Sequence, residues 1–364
     1  MAKSSGSTAA VEALKSIQPI VQTGLLERAD EDRIASAALI MGEHALFVGT
    51  KGTAKSLHAE ELFRRLEGRK FRAHISRNST EDILFGPPSI EAYRKGKYAF
   101  EYQGSLLDCE FAYIEEGFDA SDNMLRTMLR VLNEREFMRG SFQIKVPLRT
   151  AIMTANYTRV NEVTDAFIDR FLLKWAVEPV RAKEHLLDWT PEPKVTPITL
   201  NELDARRAAA NKVELPTEIK KLMVQISNRL KLSDRTLVRS ATLLRVFANL
   251  AGRETVEWQD VYAYAYVAGW TPEFKASAIK VIDEVVKELK EVVVAKAQLN
   301  DLIAWSKVVS GAPLNLNGTK ILNQLKATVE RMVPVNEDVA AKKNTLVEEL
   351  RQKFQKAQQE SGVV

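Results

Sequence analysis

The sequence is short of the groups that staple or anchor a chain. It holds one cysteine, Cys109, so no intramolecular disulfide can form, and a reducing cytoplasm is the expected compartment. Its four histidines, His44, His58, His74 and His185, stand apart from one another and from Cys109. That leaves no zinc-type spacing and makes each a surface or satisfied core side chain. No apolar run approaches the roughly 18 residues a membrane span needs. The opening "MAKSSGSTAA" has no apolar stretch behind it, so it does not read as a secretory signal, and residues 1–10 are expected to be a flexible tail. An excess of one charge is missing too. The 52 Lys and Arg nearly balance 48 Asp and Glu, a net charge of +4 that argues neither for nor against nucleic acid.

What remains is an ordinary globular composition, 45% hydrophobic and 27% charged over 364 residues. That length suits two or three domains of roughly 100–200 residues. From Val11 to about Met41 the apolar spacing reads as helix, stopping at Gly42. Short apolar runs then alternate with helical stretches. The strand candidates are "HALFV" (44–48), "FRAHI" (71–75), "FAYIE" (111–115), "RTAIMTA" (149–155) and "FLLKWAV" (171–177), with helices over 55–66 and 121–134. Strands separated by helices imply crossover units and a mainly parallel sheet, an α/β nucleotide-binding core over 11–190. Pro191, Pro193 and Pro197 mark a linker. Beyond it "NELDARRAAANKV", "PTEIKKLMVQISNRLK", "SDRTLVRSATLLRVFANLAG" and "EWQDVYAYAYVAG" each read as a helix, a second domain over 191–272. Residues 273–364 are helical again and broken near "SGAPLNLNG", an extension suited to a helical hairpin or coiled-coil arm.

Chemistry concentrates at three strand ends. "GTKGTAKS" (49–56) follows one strand and opens a helix, the order a phosphate cradle requires, because backbone N–H groups at the helix start face the anion. Gly49, Thr50, Lys51, Gly52, Thr53 and Ala54 form the loop. Lys55 would reach the β- and γ-phosphates, and the Ser56 hydroxyl would face Mg²⁺. Ala54 stands where the pattern has glycine; in helical geometry alanine there costs nothing. The plain alternative is a glycine-containing turn with a surface lysine. "FAYIEE" ends on two acids, Glu115 on the metal side and Glu116 placed to orient the attacking water. A strand end meeting solvent would carry acids as well. "TAIMTAN" ends on Asn156, and "DAFIDRF" carries Arg170, suited to stabilising transition-state charge in a neighbouring subunit.

From about Gly24 to about Val261 this order of motifs resembles the MoxR-type AAA+ ATPases, most closely their RavA-like branch. "GLLERADEDRI" is similar to the family's segment near the adenine. "GTKGTAKS" is similar to a branch that carries alanine at the last loop glycine. "STEDILFGPPSIEAYRKGKYAF" resembles the lead into its helix-2 insertion, and "MLRTMLRVLNEREFMRG" its helix and hairpin before sensor 1. "TAN", "DAFIDRF" and "SDRT" stand in the places of sensor 1, the arginine finger and sensor 2. The resemblance implies an AAA+ core with a helical lid, ATP and Mg²⁺ as cofactors, and ATPase activity. It makes Asn156 sensor 1, Arg170 the trans-acting finger, and Arg235 sensor 2 with Arg239 as the fallback. It also implies a homo-hexameric ring and a chaperone-like remodelling role, with a von Willebrand factor A domain protein and a protein substrate as partners. Two departures stand out. Glu115 replaces the family's aspartate, and Lys51 replaces a loop proline, from which good ATP binding with slow turnover is expected.

Two other readings accompany this one. "EAYRKGKYAFEYQG" interleaves Arg94, Lys95 and Lys97 with Tyr93, Tyr98, Phe100 and Tyr102, the pattern of a nucleic-acid-translocating motor, and equally of a β-hairpin. Near-neutral overall charge puts nucleic acid behind protein as the partner. The third reading is a nucleotide-gated scaffold with little hydrolysis, suggested by Glu115.

Overall fold

The computed structural model describes residues 12–156, 167–190, 192, 194–310, 316–332 and 337–360. The expected tail at 1–10, the linker prolines Pro191 and Pro193, and most of the break in "SGAPLNLNG" lie outside the described residues. The chain divides into two compact units, Met1–Asp283 and Glu284–Val364.

The first unit is built on a five-stranded parallel sheet. Its strands are β1 (Ala45–Gly49), β2 (Lys70–His74), β3 (Phe111–Glu115), β6 (Thr150–Ala155) and β7 (Leu173–Val177), in the order β2-β3-β6-β1-β7. Each expected strand is here, displaced by at most two residues at an end. Every residue of β6 and of β7 is buried, which is why these runs are mostly apolar without alternation, with Lys174 donating to the Phe171 carbonyl. The helices of this part are α1 (Ala29–Met41), α2 (Lys55–Arg64), α3 (Asp82–Phe85), α4 (Ile90–Arg94) and α5 (Asp122–Glu134). Helix α5 starts where the Ser121 side chain accepts from the Met124 N–H, and it buries Met124, Leu125, Met128, Val131 and Leu132. It leads into an antiparallel hairpin, β4 (Glu136–Arg139) with β5 (Phe142–Lys145).

The expected helix from Val11 to Met41 is corrected. Residues 12–15 are helical, residues 16–28 are irregular, and helix resumes only at Ala29. Pro19 removes a backbone donor, while Gly24 (φ 72) and Glu27 (φ 54) take left-handed backbone that no helix interior accommodates. The segment is instead pinned to α1: the Thr23 N–H and hydroxyl both donate to Asp32, at 3.0 and 2.8 Å. That turns Arg28 inward.

The helical part that follows comprises α6 (Leu200–Asn211), α7 (Thr217–Arg229), α8 (Asp234–Leu250) and α9 (Tyr264–Ala268). Thr199 and Glu202 form a capping box at the start of α6. The single helix expected for "EWQDVYAYAYVAG" is a 3₁₀ stretch, Trp258–Ala263, followed by α9, and it buries Tyr262, Tyr264 and Tyr266 together. Helix α10 (Pro272–Ser310) runs on into the second unit, which also holds α11 (Leu316–Arg331) and α12 (Glu337–Glu360). That unit's core takes Ala295 and Leu299 from α10, Leu325 and Val329 from α11, and Val339, Leu346 and Leu350 from α12. Three helices share one core, where a helical hairpin or coiled-coil arm was expected.

Candidate functional site

The loop between β1 and α2 forms at the carboxyl end of the sheet. Gly49 is required there, because a Cβ would collide with the Val177 carbonyl on the neighbouring strand. Gly52 turns the chain at φ 80. Ala54 takes left-handed backbone, φ 60 and ψ 24, so the helical geometry in which alanine would cost nothing is not the one adopted. The chain must turn at Ala54 before α2 can begin. Alanine therefore carries a strain of about 1–2 kcal/mol that glycine would not. The Lys55 ammonium folds over the loop, donating to the carbonyls of Gly49 and Thr50, each at 2.8 Å, and to Asn156 Oδ1 at 3.0 Å. Burial lowers its pKa; the Glu116 carboxylate opposes that and the Arg28 charge adds to it.

The two acids at the tip of β3 are separated by function-relevant geometry. Glu116 takes left-handed backbone (φ 53, ψ 38), which turns its side chain away from that of Glu115. Both Glu116 oxygens are engaged by Asn156, one by the backbone N–H at 3.3 Å and the other by the side-chain amide. Lys55, Asn156 and Glu116 thus form one hydrogen-bonded chain across the site. Glu115 lies on the Ser56 side of the site, and the Ser56 hydroxyl helps to hold its carboxyl pKa down. Glu115 also accepts from the Tyr113 hydroxyl at 3.0 Å and from Arg72 at 3.2 Å, with His74 Nδ1 at 3.3 Å. Burial alone would raise its pKa, but these partners outweigh burial and hold it below the ordinary carboxylate range. An ionised carboxylate against a hydroxyl at a helix start is a donor set that fits Mg²⁺, which keeps several waters in such sites. No cluster of three or more His, Cys, Asp or Glu suited to a metal occurs among the described residues, so the remaining ligands would be phosphate oxygens and water.

Beside the loop opens a cleft of about 570 Å³, lined among others by Glu27, Arg28, Glu31, Trp175 and Lys275, a volume within the range of small-molecule sites. Arg28 is its hub, donating to the carbonyls of Thr53 and Glu178, both at 3.0 Å. Burial pushes Glu31 up to about 7, although the Arg28 and His58 charges pull the other way. The Lys275 ammonium lies 3.8 Å from the Trp175 ring centroid. Sequence reasoning placed "GLLERADEDRI" here but missed Arg28, Trp175 and Lys275. The Arg28 signal was an arginine in a segment already suspected of facing nucleotide. Trp175 was hidden in an apolar strand, and Lys275 in a segment with no motif.

The arginines lie elsewhere. Arg170 precedes β7 at its amino end, while the loop follows β1 at its carboxyl end, and β1 and β7 run in register from Ala45–Leu173 to Gly49–Val177. At about 3.3 Å per residue the strand alone separates Arg170 from the loop of its own chain by roughly 13 Å. Ser233 donates to Asp169 at 3.0 Å, which brings the start of α8, with exposed Arg235, to the same edge. Arg239 is committed to Glu43 and to the Arg170 carbonyl. The structure therefore groups Lys55, Ser56, Glu115, Glu116 and Asn156 in one site, and Arg170, Arg235 and Arg239 at the opposite edge of the sheet.

A parallel sheet with this order, a phosphate-type loop after β1, paired acids at the tip of β3 and a helical domain that follows define an AAA+ nucleoside triphosphatase. The model of a MoxR domain from MoxR–vWA–β-propeller ternary systems matches residues 12–191, and that of an AAA lid domain matches 213–282. An uncharacterized protein of Methanocaldococcus jannaschii is 30% identical over 298 residues, 79% of this chain and 78% of the relative. A second from that organism is 30% identical over 259 residues, covering 68% and 69%. In fold, the chain is similar to the crystal structure of a candidate ATPase from Cytophaga hutchinsonii, with a TM-score of 0.58 at 16% identity, over 78% of this chain and 93% of that one. The chain belongs to the MoxR family of AAA+ ATPases.

Proposed function

We propose that this protein hydrolyses ATP with Mg²⁺ in a site completed by a neighbouring copy in a ring hexamer, and uses the turnover to remodel a partner protein or complex. The observation that carries the reading is the Lys55–Asn156–Glu116 chain. On binding, phosphate oxygens replace the loop carbonyls around the Lys55 ammonium. The Ser56 hydroxyl and the Glu115 carboxylate would hold the hydrated cation, which would neutralise phosphate charge. Glu116, released from Asn156, orients the attacking water and accepts its proton. In the resting site Asn156 occupies both Glu116 oxygens, which supports the expectation of slow basal turnover. Arg170, remote from the loop of its own chain and beside exposed Arg235, suits a finger that serves the next subunit. The cleft around Arg28 suits the base and ribose. Ala54 favours the RavA-like branch, and the matched MoxR description points to a von Willebrand factor A protein and a β-propeller as partners.

The test is phosphate release with ATP and Mg²⁺ across a range of protein concentrations, beside Lys55→Ala, Asn156→Ala and Arg170→Ala. Specific activity should rise with concentration, vanish in Lys55→Ala, and fall by about 10³-fold or more in Arg170→Ala with nucleotide binding retained. Activity independent of concentration and indifferent to Arg170 would sink the shared site. Binding without any release would favour the nucleotide-gated scaffold.

One observation favours a nucleic-acid motor as second reading. Tyr93 is 77% exposed and Tyr98 40%, beside the exposed Arg94, Lys95 and Lys97. Salt-sensitive binding to single-stranded or duplex DNA decides it.

A further inference from the structure

The carboxylate of Glu115 is reached by one side chain that no part of the nucleotide reading uses. Tyr113 lies two residues earlier on β3, so both side chains leave the same face of the sheet, the face that α2 covers. Its ring is almost fully buried, at 1% exposure. Phe63 of α2 meets it edge-on, with centroids 6.3 Å apart, and the Arg72 guanidinium lies 5.5 Å over its face. These contacts fix the ring and aim the hydroxyl at the tip of the strand. There it donates to Glu115 Oε1 at 3.0 Å and lies 3.4 Å from Thr154 Oγ1 on the adjacent strand. One fixed hydroxyl therefore holds the carboxylate that would face the cation.

We propose that Tyr113 is the positioning residue of the metal side, holding the Glu115 carboxylate against Ser56 and so adapting the site to a glutamate in place of an aspartate. The inference rests on the ATP and Mg²⁺ reading above. A glutamate at a strand tip has one more torsion to fix than an aspartate, and it loses the cation if its carboxylate swings away. Arg72 and His74 also reach Glu115, but both are exposed, at 46% and 63%, and Arg72 is shared with Glu60. The Tyr113 hydroxyl is held in place, because its ring is locked. Groups that orient a metal's ligands in this way contribute about 10–100-fold to metal affinity.

Binding of a fluorescent ADP analogue, titrated with Mg²⁺, tests this in wild type, Tyr113→Phe, Glu115→Asp and the double variant. Tyr113→Phe keeps the ring and removes only the hydroxyl. It should raise the Mg²⁺ concentration for half-maximal tightening by about 10-fold and leave metal-free nucleotide binding unchanged. In the Glu115→Asp background the same change should shift that midpoint by less than about two-fold, because the shorter carboxylate no longer reaches the hydroxyl. An unmoved midpoint in Tyr113→Phe overturns the inference. So does an equal shift in both backgrounds, or a loss of metal-free binding, since the hydroxyl would then support the loop as a whole. A wild-type protein that binds no nucleotide, with or without Mg²⁺, overturns the ATP reading itself, and that result is distinct from the other three.

Discussion

Arg239 grips Glu43 with two nitrogens, Nε on one carboxylate oxygen at 2.9 Å and Nη2 on the other, and its remaining Nη1 donates to the Arg170 carbonyl at 3.2 Å. Helix α8 of the helical part is thereby tied to the turn between α1 and β1 and to the backbone of the proposed finger.

The pair is four-fifths buried on both sides, so removing either partner leaves a charge poorly solvated. In denaturant unfolding, Glu43→Gln and Arg239→Gln should each destabilise. A double-mutant cycle should give a coupling energy between about 0.5 and 3 kcal/mol, and additive effects would show that the pair contributes nothing. Arg239→Gln should also slow ATP turnover more than Glu43→Gln does, because only that change removes the bond to the Arg170 carbonyl.

Ala54→Gly should stabilise the nucleotide-free protein. Glycine removes about 1–2 kcal/mol of left-handed strain but restores about 0.4–1 kcal/mol of entropy to the unfolded chain. The net gain expected in chemical denaturation is about 0.5–1 kcal/mol. A loss of stability would mean that Ala54 makes contacts outweighing its backbone strain.

Glu31 gives a pH signature. Its folded pKa is raised to about 7 from an ordinary 4.5, so between these values the native state binds the proton more tightly than the unfolded chain. Its contribution is fully favourable below about 4.5, declines as pH rises, and levels off above about 7. The total change is of the order of 3 kcal/mol at about 1.36 kcal/mol per pH unit. Comparing unfolding free energies of wild type and Glu31→Gln at pH 5, 6, 7 and 8 should show wild type losing stability relative to the variant over this range. Parallel curves would place the titration elsewhere.

Adjacency in the chain made much of this site legible. "HALFVGTKGTAKS" puts strand, loop and helix within one short stretch, and the local backbone needs only its own residues to form a cradle. The same holds for the paired acids at the end of "FAYIEE" and for Asn156 at the end of "TAIMTAN", because a buried strand must surface at its tip. The helix expected over 121–134 was likewise recovered, as α5.

The rest depended on what other segments bring. The helix expected through residues 17–28 is broken at Pro19 and Gly24, which the sequence shows. The path taken instead is set by Thr23 bonded to Asp32 and Glu27 accepting from the Arg181 and Ala182 N–H groups, partners that no local pattern reveals. Ala54 looked free of strain until the approach of β7 to Gly49 set the path of the loop. Arg239 was a spare sensor in the sequence and is a clamp in the fold, because Glu43 lies 196 residues away in the chain and within hydrogen-bond reach in space. Local order decided which chemistry is present, since strand, turn and helix propensities act over a few residues. Which atoms Tyr113, Arg28 and Arg239 touch was decided only by tertiary packing, since those contacts join elements that the chain alone keeps far apart.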